Sequence, residues 1–182
     1  MLKKIIYGLF LFSACHISTS LAISNSSTCP QIQVCFTPGQ NCTAEITDEI
    51  DAAKQSIFVQ AYSFTSSPIA AHLVAAKKRG VKVNVILDKS QKTQRYSAFH
   101  FLVNQHVPCW IDYKPAIAHN KIMIIDEKEV ITGSFNFTQA AQNRNAENLL
   151  IINDRTLATI YLKNWNRRRA FSMYLNPQTS TA

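Results

Sequence analysis

The sequence predicts an α/β domain built on a mixed, mainly parallel β-sheet with helices on both faces. Helical patterns alternate with short, nearly continuous apolar runs such as "SIFVQAYSF" and "VKVNVILD", the composition of strands covered on both sides. The 182-residue chain is 47% hydrophobic and has only four glycines, enough for one domain with a sizeable core. Two apolar runs, Lys121–Asp126 and Glu129–Ser134, are separated only by Glu127-Lys128. That hairpin must add an antiparallel pair, which makes the sheet mixed.

The elements follow in chain order. Residues 1–22 read as a signal peptide: Lys3 and Lys4 are a basic start, Ile5 to Ala14 an apolar stretch, and Ser20-Leu21-Ala22 a small-x-small cleavage site. The apolar stretch is too short to span a bilayer. Lipidation at Cys15 is the rival reading, although Phe12 is a poor residue three before such a cysteine. The remainder, 23–182, reads as a single domain without internal repeats. "QIQVCF" is a strand, and "TAEITDEIDAAKQS" a helix with Thr43 as its cap and Ile46, Ile50 and Ala53 on one face. "SIFVQAYSF" is a buried strand. "SSPIAAHLVAAKKRG" is a helix marked by Ser67 at the cap, Pro68 in the first turn and Gly80 beyond the end. The strand "VKVNVILD" leads to a helix over "SQKTQRYSAFHFLVNQ", then a short strand "VPCWIDY". After the hairpin, "ENLLII" is a strand and Asp154 caps the last helix, "RTLATIYLKNWNRRRAF".

Removal of residues 1–22 leaves 17 Lys and Arg against 11 Asp and Glu, a net charge of +6. That balance favours a polyanionic partner, either nucleic acid or an anionic membrane face. Cys29, Cys35, Cys42 and Cys109 remain, an even number that suits two disulfides in an exported chain. Cys35 and Cys42 flank the turn "FTPGQN" and are the local pair; Cys29–Cys109 would be the second. A zinc site is the alternative, but no paired C-x-x-C spacing supports it. Export to the periplasm or beyond is therefore expected.

The stretch "AHNKIMIIDEKEVITGSFNFTQAAQNRNAENLLII" (118–152) holds polar residues that a strand does not need. His119 and Lys121, two apart, share a face. Ser134 and Asn136 would do the same if their strand ran that far. Lys and Asn donate hydrogen bonds to phosphate oxygens, and Gly133 allows close backbone approach. An imidazole among them acts as a nucleophile or an acid–base group. Glu147 could accept from the far ring nitrogen of His119 and fix its tautomer. Asp126 suits the turn by local chemistry alone.

The joint spacing H-x-K-x4-D-x6-G-S-x-N, from His119 to Asn136, resembles the signature of the phospholipase D superfamily at every position: His119, Lys121, Asp126, Gly133, Ser134 and Asn136. "VCFTPGQNC", "AYSFTS", "GVKVNVILD" and "NAENLLII" are similar to its small, secreted, single-motif bacterial endonucleases, so the resemblance runs from Gln33 to Phe171. In that family two motifs build one site. His16, His72, His100 and His106 lack a lysine two residues on, so the resemblance implies a homodimer sharing one site. It implies a phosphohistidine on His119, phosphate binding by Lys121, Ser134 and Asn136, support from Glu147, and a bracing role for Asp126 within the catalytic motif. No cofactor and no metal are expected, because no second carboxylate joins the cluster. Such a centre reads the phosphodiester, which implies DNA or RNA cut with weak sequence preference. Lys92, Arg95 and Arg144 are the nucleic-acid-binding candidates, with Lys77-Lys78-Arg79 and Arg167-Arg168-Arg169 as further basic clusters. Tyr96 could stack on bases, whereas Trp110 suits core packing. The alternatives are a phospholipase or phosphatidyl transferase and a non-catalytic DNA-binding factor. The chain lacks an interfacial amphipathic helix, so no stable membrane insertion is expected.

Overall fold

The computed structural model describes residues 29–175; the expected signal peptide lies outside them. Eight strands form one sheet in the order β1-β7-β6-β5-β2-β3-β4-β8. They are β1 (Gln31–Thr37), β2 (Ser56–Ala61), β3 (Lys82–Asp88), β4 (Cys109–Asp112), β5 (Lys121–Ile125), β6 (Glu129–Gly133), β7 (Glu147–Asn153) and β8 (Met173–Leu175). The helices are α1 (Cys42–Ala52), α2 (Ser67–Lys78), α3 (Phe99–Asn104), α4 (Gln139–Asn143) and α5 (Arg155–Ala170). The mixed sheet with helices on both faces is as expected, but the balance of pairings differs. Only β2–β3 and β3–β4 are parallel. β5 and β6 are joined by a tight turn, which forces an antiparallel pair, and β1, β7 and β8 are added to the sheet antiparallel to their neighbours.

Alternation along the strands divides the core in two. Ile57, Val59, Val83, Val85, Met123, Ile131 and Leu149 face α1, α2 and α3, meeting Ile46, Ile50, Leu73 and Phe99. Phe58, Ile86, Ile122, Ile124 and Val130 face α5, whose Ala158 and Trp165 complete the second layer. Trp165 lies 5.0 Å from Phe58 edge-on and donates its indole N–H to the Val59 carbonyl at 2.9 Å. Trp110 packs against Trp165 and Tyr174, as expected of a core residue. Among the described residues no helix is long and apolar enough to cross a membrane.

Several boundaries shift for local reasons. Asn41, not Thr43, caps α1, and Ser66, not Ser67, caps α2, each accepting an N–H of the first turn. The single helix expected over 90–105 is broken. A 3-10 turn over Lys89–Lys92 is capped by Asp88, and helix resumes only at Phe99. The break is held by Gln91, whose buried amide accepts the Phe64 N–H at 3.0 Å and donates to Gln94. Cys35–Cys42 is bonded. Cys29–Cys109 is not: Cys29 is exposed and Cys109 buried in β4. Six strand spacings separate β1 from β4, about 29 Å, so the tail cannot reach. Burial pushes the Cys109 thiol pKa upward and leaves it unreactive.

At the end of the sheet where β6 begins, Glu129 is buried beside Glu49 of α1, with Asp126 and Lys128 nearby. Burial first, and then the Glu49 carboxylate and Asp126, push its pKa up to about 7, with Lys128 opposing. A carboxyl raised in the folded state contributes stability below its ordinary pKa, and loses it as pH rises through 4.5 to about 7. Glu129→Gln, which keeps the donor of the protonated form, should stabilise the protein at pH 8 by on the order of 2 kcal/mol and change little at pH 4. Urea midpoints at the two pH values check this. An equal shift at both would remove the proton linkage.

Candidate active site

Strands β1, β2, β3, β4 and β6 end, and β5 and β7 begin, on one rim of the sheet, the usual place for a site in layered α/β folds. The loop Tyr113–Asn120 reaches this rim and is pinned by Asp88 at the end of β3, which accepts the Ala118 N–H at 2.7 Å. Burial alone would raise the Asp88 carboxyl pKa, but the N–H groups of Ser90 and Ala118 outweigh it and hold the group ionised. His119 follows at once and is exposed, while Lys121 beneath it is buried.

The Lys121 ammonium lies 3.2 Å from both ring nitrogens of His119 and donates to the His119 carbonyl at 3.0 Å. Tyr62, which follows β2, packs its ring 4.6 Å from the imidazole, with the Lys121 ammonium 5.2 Å from the same ring. Its N–H donates to the Asn120 carbonyl at 2.8 Å. Burial lowers the Lys121 pKa, and the negative charge of Glu147 opposes that shift. The imidazole therefore stands in solvent with a sheltered cation on one side and an aromatic wall on the other. That arrangement puts an imidazole that solvent can reach beside a fixed positive charge suited to phosphoryl oxygens.

Ser134 and Glu147 are brought to the same rim, but not as the strand pattern implied. β6 ends at Gly133, and Asn148 then accepts N–H bonds from both Ser134 and Phe135, at 3.1 and 3.2 Å. Gly133 has φ of +143°, and a Cβ there would meet the Asn148 carbonyl oxygen at 2.3 Å. The Ser134 hydroxyl donates to Glu147 at 2.5 Å and accepts the Asn148 N–H at 3.0 Å. The other Glu147 oxygen accepts from the Asn145 amide at 2.9 Å. The expected bond from His119 to Glu147 is absent within the chain: the carboxylate oxygens bond Ser134 and Asn145, and Glu147 acts on Lys121 by charge. Asn136 lies in the loop after β6, its side-chain oxygen buried without a hydrogen-bond partner.

Asp126 does not share this site. It stands five residues beyond Lys121, about 17 Å along β5, where its carboxylate accepts the N–H groups of Lys54, Gln55 and Ser56 at 2.7 to 3.2 Å. Burial would raise its pKa, but those N–H groups lower it. It braces the hairpin against the start of β2. The basic clusters divide as well. Lys92 ends the 3-10 turn after β3, and Arg95 and Arg144 sit on loops at the site's end of the sheet, Arg95 and Arg144 exposed. Arg79 lies at the opposite end, held by Asp51 and the Ile50 carbonyl. Arg168 is committed to buried Asp112 through bonds of 2.6 to 2.8 Å, and Arg169 stacks on Trp110 and Trp165. Among the described residues no cluster of three or more His, Cys, Asp or Glu could hold a metal ion.

Tyr62 and Asp88 are the site residues that motif spacing missed. Their only sequence signal is position, at the ends of "SIFVQAYSF" and "VKVNVILD", where strands deliver side chains to the rim.

Residues 46–169 match the family described as cardiolipin synthase, PLD-like domain. A phospholipase D of Rickettsia felis is 50% identical over 77% of this chain and 70% of its own. Human mitochondrial cardiolipin hydrolase is 28% identical over 71% of this chain, which spans about half (51%) of that relative. Among solved structures, Nuc from Salmonella typhimurium, a phospholipase D family member, superposes with a TM-score of 0.78 at 39% identity, covering 81% of this chain and 99% of Nuc. With a His–Lys pair seated on the rim of the shared fold, the chain belongs to the phospholipase D superfamily of phosphodiesterases.

Proposed function

We propose that this protein is an exported, metal-independent endonuclease with weak sequence preference, acting on DNA or RNA through a phosphohistidine. The observation that carries the reading is the exposed His119 imidazole with the buried Lys121 ammonium 3.2 Å from its nitrogens. A ring nitrogen of His119 attacks phosphorus, the bond to the leaving oxygen breaks, and a second imidazole protonates that oxygen. The same second imidazole then takes a proton from water, whose oxygen displaces the histidine. Lys121 and Asn136 hold the phosphoryl oxygens, and Ser134 with Glu147 supports the pocket. The likeness to Nuc, the basic rim of Lys92, Arg95 and Arg144, and the net charge support a polynucleotide. The Cys35–Cys42 bond is consistent with an oxidising compartment, periplasmic or secreted.

One chain supplies one such imidazole, so the reading requires a homodimer. An apolar strip supports it. Ile32, Val34 and Phe36 project from β1, 55%, 46% and 57% exposed, beside Leu150 and Ile152 of β7. They lie on the sheet face that α5 covers chiefly over β2 to β6. Phe36 pairs with Asn148, next to Glu147, so a second copy seated there lies beside the rim. Mixing His119→Ala with wild-type chains, once exchange is verified, should give activity following the square of the wild-type fraction. An equal mixture keeps about a quarter. A linear dependence would mean that each chain works alone.

The relatives named phospholipase D favour a second reading, in which the same chemistry acts on a lipid phosphodiester. Purified protein incubated in excess EDTA with plasmid and, separately, with phosphatidylglycerol vesicles decides between them, with His119→Ala as the control. Plasmid should be cut and vesicles left intact. Hydrolysis confined to vesicles would overturn the nuclease reading, and loss in EDTA restored by magnesium would overturn metal independence.

A further inference from the structure

Next to the catalytic rim, the loop after β2, the first turns of α2 and the segment leading into α3 line a cavity of about 400 Å³, with Thr65, Ser67, Ala70, Tyr96, Ser97 and Phe101 on its walls. That volume is ordinary for a small-molecule site. Two aromatic rings stand open over a floor of small residues: Tyr96 is 72% exposed and Phe101 45%. The Arg95 guanidinium lies 5.4 Å from the Tyr96 ring.

The cavity is wired to the catalytic residues through the backbone. The Ala98 N–H donates to the Phe64 carbonyl at 2.8 Å, and the N–H groups of Thr65 and Ser66 donate to the Phe137 carbonyl at 2.9 Å. Phe137 follows Asn136. Tyr62, packed at a tilt against His119, precedes Thr65 by three residues, at most about 11 Å of chain. A polynucleotide with one phosphate at His119 can therefore lay a neighbouring base over this opening.

We infer that the cavity is a nucleobase subsite, in which an unpaired base flanking the scissile phosphate stacks on Tyr96 against Phe101. Arg95 faces the adjoining backbone, and the hydroxyls of Thr65, Ser67 and Ser97 offer hydrogen bonds to any base edge without selecting one. Stacking on an open aromatic ring is indifferent to base identity, in keeping with weak sequence preference. A base held in a duplex cannot stack there, so the subsite favours single-stranded substrate, or the locally unpaired stretches of a supercoiled plasmid, over paired duplex. The cation over the ring and the hydroxyl lining favour a base on a polyanionic strand over an acyl chain. This inference rests on the nuclease reading and adds a substrate class to it.

The test is steady-state cleavage by the dimeric protein of a single-stranded oligonucleotide and of an equally long oligomer of tetrahydrofuran abasic units, with phosphatidylglycerol vesicles in parallel. Tyr96→Ala should raise KM for the base-bearing strand about tenfold, leave its kcat within about twofold, and leave the abasic oligomer unchanged. Tyr96→Trp should restore the wild-type KM. Equal losses on the two oligomers, or no loss on either, would overturn the subsite while leaving the nuclease reading intact. An effect confined to vesicles would reassign the cavity to an acyl chain. Wild-type protein that cuts plasmid but neither oligomer would overturn the subsite alone, and protein that cuts neither plasmid nor oligomer would sink the nuclease reading and the subsite with it.

Discussion

His119→Ala is expected to lower phosphodiester turnover by about 10³-fold or more while leaving the unfolding midpoint within experimental error of wild type. The stability half follows from exposure. His119 stands in solvent, so truncation opens no core cavity; its ring meets the rim residue Tyr62 at 4.6 Å and the Lys121 ammonium, which keeps its bond to the His119 carbonyl. The loop that carries it stays anchored through Ala118 to Asp88. The activity half follows from the chemistry. Lys121 can neutralise a phosphoryl oxygen but has no part in forming the covalent bond, so removing the imidazole leaves only electrostatic assistance to a direct attack by water. Turnover within about tenfold of wild type would end the nucleophile assignment, because catalytic groups of this kind are worth 10²-fold or more.

The parts of this site that were legible in the sequence are those whose geometry is local. Two residues on one extended segment share a face whatever surrounds them, so the proximity of His119 and Lys121 could be read from spacing. The turn at Glu127 could too, because Glu127-Lys128 alone separates two apolar runs; Asp126 and Glu127 make it with positive φ. What could not be read depends on neighbours supplied by distant segments. Glu147 opens β7 near enough to influence Lys121, yet which partners take its oxygens is decided by the distant Ser134 and by Asn145. Tyr62 reaches the imidazole only because β2 and β5 pair antiparallel with Ala61 opposite Lys121. The same holds for the fold. Long periodic elements such as α2 and α5 declared themselves, whereas α4 and β8, five and three residues long, carry too little pattern to register. The share of parallel pairing was overestimated because a continuous apolar run reports burial on both faces, and burial does not fix strand direction.

Gly133→Ala should cost about 3 kcal/mol or more of folding stability, a fall in Tm of roughly 6–12 °C for a domain of this size. Two terms add. At φ of +143° any residue with a Cβ is strained, by about 1–3 kcal/mol. The new methyl would also sit 2.3 Å from the Asn148 carbonyl oxygen, which is backbone and cannot swing aside. Relief requires β6 and β7 to part at the point where Gly133 pairs with Leu149, and overpacking of that kind costs a further 1–3 kcal/mol or so. Gly80→Ala separates the terms, since Gly80 also has positive φ, +93°, but nothing lies within 4 Å of its missing Cβ. Its loss should therefore be clearly the smaller of the two. Activity supplies the second readout, because parting β6 from β7 displaces Ser134 and Glu147, which hold each other across that junction. Gly133→Ala should lose turnover even at temperatures where it is fully folded, and Gly80→Ala should not. Equal destabilisation of the two variants, with turnover unchanged in both, would show that the close approach to Asn148 plays no part in building the site.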